Sequence, residues 1–96
     1  MKFTLEPAHD GVHKYIGTFT PLDGRSKSIP FGAKGMSDYT IHHDKMRRAR
    51  YLARHRATET WSDPQTAGAL SRWILWGPST SLQENVRAFR RRFSLS

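Results

Sequence analysis

Ninety-six residues leave room for one modest core, and the absence of cysteine removes disulfides and thiolate zinc sites from consideration. Sixteen Lys and Arg against eight Asp and Glu give a formal charge of +8, and eleven of the sixteen are Arg, the side chain suited to bidentate contact with phosphate or carboxylate. No run approaches the about 18 apolar residues of a membrane-crossing helix, and Met1 to Pro7 lacks an apolar stretch of signal-peptide length, so neither a membrane span nor a cleaved leader is expected.

The first third reads as strand. Lys2 to Glu6 alternates, with Phe3 and Leu5 on one side, and Lys14 to Thr20 carries Tyr15, Ile16 and Phe19. Asp10-Gly11 and Asp23-Gly24 are turn dipeptides that separate these strands from a third, about Arg25 to Phe31. Pro30 has no N–H to donate, so the third strand should end there or lie at an edge. A Gly-rich connector, residues 32–44, then leads to a helical part, residues 45–93. Asp44 is placed to cap a helix from Lys45 to Ala57, with Met46, Ala49, Leu52 and Ala53 at helical spacing. Asp63-Pro64 reads as cap and first helical residue of a segment from Gln65 to Trp76, whose stripe is Ala67, Leu70, Trp73 and Ile74. Gly77-Pro78 stops it. Ser81 and Glu84 have capping-box spacing ahead of a last helix with Leu82, Val86, Phe89 and Phe93 inward. The expected fold is α+β in one domain: a β meander (1–31) forming a three-stranded antiparallel sheet, then a cluster of three helices.

Ten of the sixteen basic residues fall between Lys45 and Arg56 or between Arg87 and Arg92, and neither cluster contains an acid. Arg47, Arg50 and Arg54, three and four apart, share one helix face, a row able to straddle phosphates. Arg48 and Arg56 belong to the same cluster. Arg87, Arg90, Arg91 and Arg92 stand at the end of the last helix, where cations also complement the helix dipole. These residues, with Lys34, are the candidate anion- or partner-binding set. Gly32-Ala33-Lys34-Gly35 has the GxxG spacing of the KH nucleic-acid loop, but a strand precedes it here. A plain turn with Lys34 at its tip is the expectation, with N–H groups open to an anion.

Other chemistries find little support. His9 and His13, and His42-His43, lack the spacing and companion ligands of a zinc site and read as surface or capping residues. Asp44, Asp63 and Glu84 are accounted for as helix-start residues and Asp23 as a turn residue, which leaves no carboxylate pair. No nucleophile elbow is present. Trp61, Trp73 and Trp76 are expected in the core. The reading is therefore of a protein with no catalysis, no cofactor and no small-molecule substrate.

The segment Phe31 to Phe93 resembles a small uncharacterised family of large eukaryotic double-stranded DNA viruses. The resemblance rests on Phe31-Gly32-Ala33-Lys34-Gly35, Asp38-Tyr39-Thr40, His42 and Asp44. Tyr51, Arg54-His55, Glu59, Trp61 and Asp63 extend it, followed by the run Thr66 to Trp76 and Phe89-Arg90-Arg91-Arg92-Phe93. His43 departs from the pattern, where Lys would be expected. The resemblance implies a viral setting, in the virion or in host cytoplasm or nucleus, and it implies no activity. Two expectations follow. The first is a minor capsid or internal virion protein whose Arg clusters dock acidic faces of other virion proteins. The second is a nucleic-acid-binding protein that contacts phosphates without reading sequence.

Overall fold

A computed structural model describes all 96 residues. Three strands, β1 (Lys2–Pro7), β2 (His13–Thr20) and β3 (Lys27–Ala33), form an antiparallel sheet in the order β1-β2-β3. Asp10 and Gly11 make the first turn: the Asp10 carboxylate accepts the N–H groups of Val12 and His13, and Gly11 takes φ 75°. Those two donors, together with the His13 side chain at 2.6 Å, hold the Asp10 carboxyl well below the usual range. β3 starts two residues later than the sequence suggests and continues past Phe31 to Ala33. Pro30 lies inside it, which the sheet tolerates because β3 is an edge strand.

The register places Phe3 opposite Phe19 and Tyr15 opposite Phe31, so one face of the sheet is aromatic. The other face carries hydroxyls, with Thr18 and Ser28 3.0 Å apart across strands. Phe3, Phe19, Phe31, Leu70, Ile74 and Phe89 are all but fully buried in one apolar core. Each such side chain contributes about 1.5–3 kcal/mol by leaving water. Gly17 has a packing role: a Cβ there would sit 2.9 Å from the Phe3 ring and 3.2 Å from Leu70. Its absence lets the helical layer land directly on β2.

The connector of residues 32–44 holds an element that the sequence reading missed. A short helix, α1 (Tyr39–His42), starts at Asp38, whose carboxylate accepts the Thr40 N–H at 2.9 Å and the Lys14 ammonium at 2.5 Å. His43 then takes a left-handed conformation, φ 56°, which turns the chain sharply into α2 (Lys45–His55). Asp44 caps α2 as expected, accepting from Met46 and Arg47, and those bonds keep its carboxyl below the ordinary carboxylate range. The helix ends before Ala57, and of the expected stripe only Leu52 faces inward. Met46, Ala49 and Ala53 are exposed, while Arg48, Tyr51, Leu52 and His55 face the body. α2 lies at the rim of the core, where long amphipathic side chains span the gap that small ones would leave open.

The third helix also departs from expectation. Thr66, not Asp63, is the cap, with its hydroxyl accepting the Ala69 N–H; Asp63 instead closes a turn by accepting from Gln65. α3 (Ala67–Leu70) continues as a π-helical turn (Ser71–Leu75), closed by the Trp76 N–H on the Ser71 carbonyl at 2.9 Å. The wider turn shifts the buried stripe, so that Leu70, Ile74, Leu75 and Trp76 are inside and Trp73 is only half-buried, as is Trp61. α4 (Leu82–Arg92) starts at Ser81 as expected, although only half of the capping box forms. Ser81 accepts from Glu84, while the Glu84 carboxylate turns to Arg87.

Buried Asn85 ties α4 to the preceding turn, donating to the Ile74 and Ser79 carbonyls and accepting the Ser79 N–H. Gly77 makes room for it, since a Cβ there would lie 2.7 Å from Asn85 and 2.3 Å from the Trp73 carbonyl. After α4, the Leu95 N–H bonds the Arg90 carbonyl and the Ser94 N–H the Arg91 carbonyl, a Schellman ending with Ser94 at φ 54°. The chain then runs beside β1: the Ser96 N–H donates to the Met1 carbonyl, and the Phe3 N–H to the Ser96 carbonyl.

Candidate functional site

Arg47, Arg50 and Arg54 project from α2 into a groove of about 410 Å³. The far wall is the end of β3 with the loop that follows it, Gly32, Ala33 and Met36 to Asp38. Lys14 of β2, Ser71 and the buried edge of Leu75 and Trp76 also line it, as do Tyr51 and His55 of α2. Tyr51 stacks on Trp76 with centroids 4.1 Å apart and planes 3° from parallel, and His55 stacks on Tyr51 at 4.1 Å. This column of three rings fixes α2 against the third helix and sets the direction of the arginine row. Burial, with the Glu59 charge as second cause, pushes the Tyr51 hydroxyl up to about 12, so it stays protonated and neutral in the groove.

The row has no counter-charge of its own. None of Arg47, Arg50 and Arg54 makes a hydrogen bond or ion pair with its side chain. Carboxylates near the row are committed elsewhere. Asp44 caps α2; Asp38 is taken by Lys14 and Thr40; Glu59 holds His55 at 3.0 Å and accepts the Trp61 indole N–H at 2.9 Å. Over seven residues of helix the row extends roughly 10 Å, long enough to meet neighbouring phosphates of one strand.

The remaining predicted residues divide. Arg48 points inward and donates through Nε to the carbonyls of Trp76 and Gly77, at 3.1 and 2.9 Å, so it caps the third helix and is not part of the row. Arg90 donates to the Phe3 carbonyl through Nε and Nη2, joining α4 to β1. Arg87 is paired with Glu84 at 2.7 Å, a neutralisation that the cluster boundaries concealed. Arg56 and Arg91 are exposed. Arg92 is exposed too, but its guanidinium lies 3.9 Å from the Trp73 ring centroid. Lys34 is exposed at its turn, and its N–H is spent on the Val12 carbonyl, as is that of Met36 on Ala33. The expected cradle of free N–H groups at the GxxG turn is therefore largely closed.

Two features escaped the sequence reading. The ring column of Tyr51, His55 and Trp76 had one available signal, Tyr51 and His55 at i and i+4 on α2. Arg72, beside Trp73 in the π turn, had none, because a single Arg outside both clusters carries no pattern.

Residues 3–55 match a protein family described as a family of unknown function (DUF5754). The chain belongs to that family. The matched residues take in the sheet, α1 and α2, and with them Lys14, Arg47, Arg50 and Arg54; the third helix and α4 lie beyond. Family membership and the resemblance noted above overlap over residues 31–55. No curated protein and no solved structure matches the chain.

Proposed function

We propose that the protein is a non-enzymatic binder of nucleic acid that holds phosphates in the α2 groove without reading sequence. One observation carries this reading: Arg47, Arg50 and Arg54 line a concave surface together, and no carboxylate of the protein engages them. Guanidinium forks are matched to phosphate oxygens, and each phosphate neutralised releases condensed counterion. Base reading has no comparable support, since the groove presents no Asn or Gln to a base edge.

The test is fluorescence anisotropy with a generic DNA duplex over a salt series. The logarithm of the binding constant should fall linearly with the logarithm of salt concentration, by about 0.9 per phosphate contacted. In the triple variant Arg47→Ala, Arg50→Ala, Arg54→Ala the slope should shrink by about 2 to 3. Arg56→Ala, outside the groove, should change it by less than one. Weak binding by the unmodified chain, or an unchanged slope in the triple variant, rejects the reading. The role implied by the resemblance, a virion component docking acidic proteins, is then the proposal to pursue with the same residues.

A further inference from the structure

We infer that Arg48, Arg72 and Arg92, which line one cavity with Trp73, form a second anion site, one that takes a single phosphate group, inorganic or as a monoester. It is separate from the α2 groove and does not rest on the nucleic-acid reading. Arg48, Arg72 and Arg92 line a cavity of about 540 Å³ together with Arg91, Trp73 and Phe89. No carboxylate pairs with any of the four arginines, because the ion pairs of the molecule lie elsewhere.

The geometry holds the guanidinium groups in place before any ligand arrives. Arg48 Nε and Arg72 Nη1 both donate to the Trp76 carbonyl, at 3.1 and 3.2 Å. Arg72 and Arg92 lie 4.1 and 3.9 Å from the centroid of the same indole, and the Trp73 Nε1–H is itself anchored on the Trp61 carbonyl. These contacts leave both Nη groups of Arg48, Nη2 of Arg72 and the whole Arg92 fork without acceptors, while Arg72 Nε is shielded from water and unpartnered. The aromatic contacts explain where the arginines sit and offset only a part of their charge. Burial first, and then the neighbouring Arg48 and Arg92, lower the Arg72 pKa to about 10. Like charges collected in a half-buried place are stabilised by a compact dianion, whose several oxygens can accept from more than one fork. Preformed side chains also lose little freedom on binding it.

The experiment is a thermal melt of the full chain at constant ionic strength, with phosphate replacing chloride up to 10 mM, repeated with phenyl phosphate. The melting temperature should rise with phosphate in the unmodified protein and in the groove triple variant. It should not rise in Arg92→Gln, whose exposed position spares the fold, a point that circular dichroism checks. Phosphorus NMR supplies a second readout: the unmodified chain should broaden the phosphate line and Arg92→Gln should not. No rise in the unmodified protein, or an equal rise in Arg92→Gln, overturns the assignment. A rise that only the groove variant loses places the phosphate in the groove and overturns it as well.

Discussion

His42 shows how much one side chain can be constrained. Its Nδ1 accepts the Asp44 N–H at 2.9 Å, so a neutral ring must carry its proton on Nε2, an atom shielded from water with no partner. The rings of Tyr39 and Trp76 flank it at 6.3 and 5.3 Å. Burial lowers its pKa below the ordinary 6.5, assisted by Arg47 and His43 and opposed by Asp44 and Asp38. The unfolded chain therefore takes up this proton near pH 6.5 while the folded one still resists it. The stabilisation is complete above that pH and is lost as pH falls below it. We expect urea midpoints of the unmodified protein to drop between pH 7 and 5, and a smaller drop in His42→Gln, which keeps an acceptor but does not titrate. Identical profiles would remove His42 as the source. His42 was legible only as a polar residue near a helix start, because the half-buried setting of its ring depends on Tyr39 and on Trp76, thirty-four residues away in the chain.

At the scale of elements, the caps that a sequence announces locally were the readable part. Asp44 and Ser81 bond the N–H groups that their positions suggest. What failed was decided by packing. The Lys45 helix turned its Arg48, Tyr51 and His55 face inward because Trp76 offered a ring to stack on, and periodicity of Met and Ala cannot report that. The π turn shifted the stripe of the third helix by the insertion of one residue, and α1 was too short to show a period. The arginine row survived this rotation because Arg47, Arg50 and Arg54 sit beside the stacking face, not on it; Arg48 did not, and became a cap.

The end of α4 gives a second element-scale expectation. Ser94 holds the left-handed position of a Schellman ending, where glycine has no Cβ to crowd the carbonyl. Ser94→Gly should raise stability by about 1 kcal/mol, read as a higher denaturant midpoint at unchanged slope. An unchanged or lower midpoint would mean that the Ser94 side chain contributes more than its backbone costs.

For the molecule as a whole, the charge is distributed by element. The sheet face away from the helices carries Thr and Ser pairs, whereas most arginines without a carboxylate partner lie on α2 and at the end of α4, with Arg25 and Arg72 outside those two elements. The two arginine regions are served by different parts of the chain: the groove mainly by residues within the family match, the Trp73 cavity by residues beyond it with the exception of Arg48. Composition alone revealed the excess of Arg; only the fold separates arginines that hold carbonyls from those that face solvent.

The bonds between Ser96 and the start of β1 make the chain very nearly a ring. Its two ends emerge at one corner, so a few glycines would join Ser96 to Met1 without moving either. Closing a loop of about 100 residues in the unfolded chain is worth up to about 5 kcal/mol on the loop-entropy account. A backbone-cyclised form should therefore unfold at distinctly higher urea, and a chain reopened at the exposed Asp23-Gly24 turn should keep the same sheet with new ends.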